Sequence, residues 1–329
     1  MKLATLYDFI SREIFKPGSP MPLCLFRIAL GLVLLEYCVL VAPELLSYFS
    51  DINGIVRLKT LSNVFGIPVI DLIAGLPPGD GWLIAFFTVF VLASLFVTVG
   101  LFSRASMIVA YLGLTSFLHR NIFVHHGGDH LLCIACFWMM FAPIGAALSL
   151  DRLWFQKKSP SSSPPLVSLW ALKAYQFQFV LVYWQASVSK LAAPSWWDGT
   201  AMYYVARHEE FARFPIPFVP QNMLLLKLFT WGSIFAEFIG WTLIWFRETR
   251  YFVLFVLLGL HLGIEYAMNI PIFEHIMIIS LIVFIPGEDA DKFVAWVKSK
   301  LFKNDKSTKS VEAKVSVDDS MPTKQTPVQ

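Results

Sequence analysis

The sequence predicts an all-α, polytopic transmembrane bundle of about eight spans, with an amphipathic helix before it and a disordered tail after it. Two observations carry that prediction. First, 57% of the 329 residues are hydrophobic and only 15% are charged, whereas a soluble domain carries about 25% charged residues. Second, apolar runs recur at 22–46, 82–101, 105–123, 131–149, 166–192, 223–245, 250–268 and 272–286. Each is near the ~20 residues that cross a bilayer. The 30 phenylalanines and 11 tryptophans suit lipid-facing surfaces and interfacial belts.

Taken in order, residues 1–18 form the interfacial segment. Leu3, Leu6, Tyr7, Ile10 and Ile14 share one helical face, Lys2, Arg12 and Lys16 fall among the polar positions, and Pro17-Gly18 ends the helix. Residues 19–287 hold the eight apolar runs. The loops 47–81 and 193–222 are apolar enough to hide re-entrant helices. KKSPSSSPP at 157–165 is a flexible link rather than a domain boundary. Residues 288–329 read as a cytoplasmic amphipathic segment and, from Lys303 onward, a polar disordered tail. No cleavable signal peptide is expected. Cys24, Cys38, Cys133 and Cys136 all lie in apolar segments and read as buried thiols, because C-x-x-C at 133–136 lacks a βαβ context. The net charge of +3 gives no reason to expect nucleic acid.

Lysine and arginine set the orientation. With the N-terminus in the cytoplasm and eight alternating spans, 17 of these residues fall on the cytoplasmic side and 5 in the outer loops. Both termini are therefore expected inside. On that topology an unusual set of polar groups converges on the outer side. His125, His126, Asp129 and His130 form the turn between the third and fourth spans, and Lys190 ends the fifth. Trp197 and Asp198 follow it, His261 and Glu265 share a face of the seventh, and Asn269, Glu274 and His275 bracket the last outer turn. An ionisable group at the membrane boundary is a functional-site candidate by default. Lys190 also has a plainer reading, an ammonium snorkelling to the headgroups. Gln176 and Tyr183 lie roughly on its helical face, a polar stripe that favours function. The histidine turn matches no strict metal-ligand spacing, so no metal is assigned. His261 and Glu265 have a plain reading as a helix-packing hydrogen bond. Deeper in the membrane, Arg27 and Glu237 are expected to form a structural ion pair between the first and sixth spans. Glu36, about 180° around the helix from Arg27, must face something else.

The segments R-N-I-F-V-H-H-G-G-D-H-L-L (120–132), F-W-M-M-F-A-P-I-G-A-A-L-S-L-D-R-L (137–153) and Y-W-Q-A-S-V-S-K-L-A-A-P-S-W-W-D-G-T-A-M (183–202) resemble the HTTM family. That family includes the membrane domain of vitamin K-dependent γ-glutamyl carboxylase. The resemblance implies an integral-membrane carboxylase, with reduced vitamin K or menaquinol, CO2 and O2 as co-substrates. Quinol oxygenation, ending in epoxide, would drive carboxylation of an acceptor the sequence does not name. By resemblance Lys190 is the base that deprotonates the quinol and His130 assists the carbanion step. An apolar surround without a counter-charge would free a neutral amine for that task. Asp129, Tyr183, Trp197, Asp198, His261 and Glu265 are expected to bind quinone or substrate on the extracytoplasmic side. The implied partners are membrane lipids, a lipid quinone and a separate substrate-bearing protein or peptide. Two departures stand out. The sequence has Ser189-Lys190 where the family has adjacent lysines, and no large luminal domain is expected after its apolar spans. The competing expectation is a non-catalytic lipid- or quinone-binding module, or a transporter.

Overall fold

The computed structural model describes residues 14–57, 70–158, 164–214, 216, 219 and 221–301. The surface helix predicted for 1–18 and the tail from Lys303 therefore lie largely or wholly outside the described residues. The chain forms two compact units, one ending at Ile285 and a second beginning at Pro286.

Helices stand at all eight places where the sequence has apolar runs. The first, α1 (Met21–Val41), is continued by a 3-10 turn and α2 (Leu45–Phe49). Then come α3 (Asp80–Val99), α4 (Ser103–Arg120), α5 (Gly127–Met140) and the short α6 (Leu150–Lys158). After α7 (Trp170–Leu191) the chain makes two small helices, α8 (Pro194–Trp197) and α9 (Ala201–Val205). It returns through α10 (Met223–Thr242), α11 (Arg250–Ala267) and α12 (Phe273–Ser280), and α12 runs into a 3-10 turn at Leu281–Phe284. The second unit contains α13 (Gly287–Leu301).

Four of these segments are long and apolar enough to cross a membrane: Met21–Phe49, α3, α10 and α11. The expected eight thus resolve into four such spans and four helices of other character. The 14 residues of α5 rise only about 21 Å against a ~30 Å hydrocarbon core, and α12 with its 3-10 turn is shorter. The fourth predicted span, 131–149, breaks at Met140 because Pro143 cannot continue a helical ladder. Two helices have the length but not the composition. α4 has Arg104, His119 and Arg120 at its ends, and α7 carries Lys173, Lys190 and three glutamines.

Within the first unit α1 packs on α3, α3 on α4, α4 on α5, α5 on α7, α7 on α10, α10 on α11 and α11 on α12. α12 also packs against α1 and α5. A Cβ at Gly31 of α1 would overlap the backbone of Thr98 on α3, so a small residue there sets the closeness of that pair. Two-residue strands β1 (Pro17–Gly18) and β2 (Val167–Ser168) pair antiparallel, tying the start of α1 to the start of α7. The core is aromatic-rich. Phe26 stacks on Tyr175 at 5.1 Å, and Phe117 meets Phe49, Phe86, Phe87 and Phe90. All four cysteines are free, three buried and Cys133 half-buried.

The predicted Arg27–Glu237 pair is not formed. Arg27 donates to the carbonyls of Ile144 (3.0 Å) and Leu148 (2.5 Å) in the turns that follow α5. Those carbonyls are free because that stretch is not the helix the sequence suggested. Arg120, the last residue of α4 and one of the five lysines and arginines counted on the outer side, is fully buried and donates to the carbonyls of Val56 and Ser50.

Candidate functional site

The polar stripe of α7 is real, and each member has its own partner. Gln176, Tyr183 and Lys190 recur every seven residues, so they line one face of the helix. Gln176 donates to the carbonyl of Val283 at 2.5 Å. Tyr183 Oη lies 2.8 Å from His261 Nε2 on α11. Lys190 Nζ pairs with Glu237 Oε1 on α10. Lys190 therefore does have a counter-charge, contrary to the expectation of an apolar surround without one. The Lys190 side chain is 22% exposed and that of Glu237 only 8%. Glu237 Oε2 is buried without a hydrogen-bond partner among the described residues.

On its other side Lys190 faces a cavity of about 450 Å³ bounded by α7, α8, α9, α10 and α11. Its ammonium lies over the Trp196 ring, 4.7 Å from the centroid, a cation–π contact. Trp196 is placed by the turn after α7. Pro194 starts α8, Trp197 Nε1 donates to Leu191 O at 2.5 Å, and Trp231 Nε1 donates to the carbonyls of Trp196 and Trp197. Asp198 holds the next bend, accepting from the Thr200 amide (2.9 Å) and hydroxyl (2.6 Å). Lys190 is the one charged residue among the described residues lining the cavity; the rest are apolar or small, with Ser233 the one side-chain hydroxyl among them. Gly232 of α10 and Gly259 and Gly263 of α11 line it too, and a Cβ at any of the three would meet open space. The wall is wide because side chains are missing from it. Leu228 and Phe229, also in the lining, are more than half exposed, so the cavity opens on the apolar outer surface of α10.

His261 and Glu265 share a helix but not a partner. His261 Nδ1 lies 2.6 Å from Glu274 Oε2 on α12, and both side chains are buried. Glu265 takes the guanidinium of Arg213, which also donates to Asn269 Oδ1 at 3.1 Å, and lies 3.6 Å from His275 Nε2. The partner that Glu36 had to have is His275.

The histidine turn has a structural explanation. His126 caps α5 by accepting from Gly128 N at 3.0 Å, and buried Asp129 accepts from His126 N at 2.9 Å, a reciprocal capping box. His130 is exposed, with its ring 5.4 Å from that of His125, and it is not among the residues lining the Lys190 cavity. The structure thus groups Lys190 with Glu237 and Trp196, groups Tyr183 with His261 and Glu274, and leaves His130 and Asp129 at a separate helix end. Among the described residues no three His, Cys, Asp or Glu side chains converge in a metal-binding geometry.

Fold and site together define a helical membrane protein with a lysine–glutamate pair at the edge of an apolar, laterally open cavity. The chain belongs to the HTTM domain family, whose model matches residues 15–288, a family associated with membrane vitamin K-dependent carboxylases. No solved structure matches it.

Proposed function

We propose that this protein takes a lipid quinol into the Lys190 cavity and acts as a vitamin K-dependent γ-carboxylase-like enzyme. The observation that carries the reading is the single ammonium in an otherwise apolar wall, at a mouth that opens on the exposed apolar surface of α10. About 450 Å³ lies within the range of small-molecule sites. The residues present fit a flat aromatic head with an apolar chain. Trp196 and Lys190 would hold the oxygenated ring, and the glycine-lined wall between α10 and α11 would take the chain. Reduced vitamin K or menaquinol, with O2, would supply the oxidative drive for carboxylation by CO2. Lys190 Nζ would stay on the ring hydroxyl and balance the charge left when its proton departs. Tyr183, His261 and Glu265 act behind or beside this cavity in the proposal, and His130 is not asked to act in it. The acceptor would be a small molecule or a peptide brought by a partner. Counted over eight alternating spans, the lysine and arginine asymmetry supports cytoplasmic termini and an extracytoplasmic site, with Arg120, one of the five outer residues, buried at the end of α4.

Two observations favour a second reading, a lipid- or quinone-binding module without turnover. Lys190 is already paired with Glu237, and the histidine expected to assist is elsewhere. The deciding experiment uses the full chain in liposomes with reduced menaquinone or vitamin K and oxygen, and follows epoxide. Epoxide from wild type that is lost in Lys190→Ala supports the enzyme. Quinone binding without epoxide, from a folded wild type, leaves the binding module.

A further inference from the structure

Behind Lys190 the polar groups continue into the bundle. Tyr183 stands two helical turns before Lys190, on the α7 face that meets α10. Its ring packs at Gly240, where a Cβ would lie 3.3 Å from Tyr183 Cγ. Gly240 is three residues beyond Glu237, so the two lie on the same side of α10. Glu237 and Tyr183 thus sit on the two sides of the α7–α10 contact, with no direct hydrogen bond between them among the described residues. From Tyr183 the hydrogen bonds run without a break, through His261 to Glu274. Four helices (α7, α10, α11 and α12) each place a titratable side chain on this line. Both end carboxylates, Glu237 and Glu274, keep one buried oxygen that no described group satisfies. A buried acceptor left unsatisfied is costly, and the two at the ends of this polar line mark places where a proton can reside.

We propose that Glu237, Tyr183, His261 and Glu274 form a buried proton path that takes up the proton released at Lys190. The proposal rests on the quinol reading above and assigns these four as positioning and proton-holding residues, none of which touches the ligand. The transfer balances as follows. In the resting pair Lys190 is an ammonium and Glu237 a carboxylate. Lys190 passes one proton to Glu237 and takes one from the ligand hydroxyl, so the cation stays beside the new anion. Glu237 then passes its proton across the α7–α10 contact, through one bridging water in this proposal, to Tyr183 Oη as the phenol proton moves to His261 Nε2 and the Nδ1 proton moves to Glu274 Oε2. One proton has moved inward, and the ionised carboxylate is again Glu237. Tyr183 is the bridge because its hydroxyl both accepts and donates.

The test uses full-length protein in liposomes and has two arms. In the first, Lys190 is labelled with an amine-specific reagent across pH and its peptide is read by mass spectrometry. Lys190 faces Glu237 of α10, and the only other nearby cation on α10 in this region, Lys227, lies against Trp231. Loss of an anion on the path makes the ammonium less stable. Glu237→Gln should therefore move the labelling midpoint to lower pH, and Glu274→Gln should move it in the same direction by less. In the second arm, Glu237→Gln, Tyr183→Phe and Glu274→Gln should each lower quinol turnover by about a hundredfold with menaquinone affinity kept, and Glu237→Asp should recover part of the loss. Tyr183→Phe keeps the ring and its packing, so a purely structural role would leave its turnover near wild type. Wild-type turnover in Tyr183→Phe and Glu274→Gln would overturn the path. If wild type forms no epoxide at all, the quinol reading falls, and an unmoved midpoint in Glu274→Gln would independently overturn the coupling.

Discussion

Glu36 on α1 and His275 on α12 meet across the bundle, with His275 Nδ1 2.7 and 2.8 Å from the two carboxylate oxygens. The contact fastens the first helix of the domain to the last, and His275 Nε2 then reaches towards Glu265. Both side chains are about one-third exposed, 33% for Glu36 and 39% for His275, so solvent screens the pair. A double-mutant cycle with Glu36→Gln and His275→Gln should give a coupling of about 0.5 kcal/mol in detergent-solubilised melts. A coupling above about 3 kcal/mol, the range of buried pairs, would show that the contact is shielded in the membrane.

The Lys190–Glu237 pair should behave differently. Its carboxylate is almost fully buried, so removing the lysine alone leaves a charge without compensation. Lys190→Ala should destabilise the protein by about 3 kcal/mol, and Lys190→Ala combined with Glu237→Gln should be more stable than Lys190→Ala alone. Thermal unfolding of the three variants checks this. Additive losses in the double variant would mean that the two side chains are not energetically paired.

The difference between these two pairs explains what the sequence could disclose. The polar stripe at 176, 183 and 190 was legible, because a seven-residue spacing on an apolar helix has one face. Its partners were not, since Glu237 lies 47 positions from Lys190 and depth alone made Arg27 an equally good match. Arg27 was misread for a local reason. Its carbonyl acceptors exist only because Pro143 stops α5, a proline signal that the apolar composition of 131–149 masked. The box of His126 and Asp129 was hidden for another reason: histidine and aspartate stand where the usual signature has Ser or Thr followed by Glu or Gln. The cavity wall had no positive signal at all. Gly232, Gly259 and Gly263 define it by lacking side chains, and isolated glycines in an apolar helix look alike whether they face space or a neighbour.

Those glycines can be filled. A Cβ at Gly259 or Gly263 meets nothing within 4 Å, so Gly259→Leu should fold and occupy the cavity rather than collide with its wall. Quinone or lipid affinity, measured with a labelled ligand in liposomes, should fall by at least about tenfold, while the melting temperature holds or rises. By contrast Gly31→Leu should unfold the α1–α3 contact, because backbone lies where its side chain would go. Unchanged affinity in Gly259→Leu would move the ligand away from this cavity.

The last prediction concerns acid. His125 lies in the turn before α5, outside the helices. Burial first, and the neighbouring charge of His130 second, bring its imidazole from 6.5 down to about 4. The backbone carbonyl of Asn121 opposes the shift, and His119 and His126 add to it. The folded protein thus holds His125 neutral where the unfolded chain would protonate it. This group's contribution is fully present above about pH 6.5 and is lost as pH falls towards about 4, the window between the two values. Melting temperatures taken at about pH 7 and about pH 5 should fall in wild type. The fall should be smaller in His125→Gln, which keeps a polar side chain of similar reach but cannot titrate. The same fall in both proteins would assign the acid sensitivity to other groups. A larger fall in the variant would reverse the sign of the linkage and show that the protonated imidazole stabilises this turn.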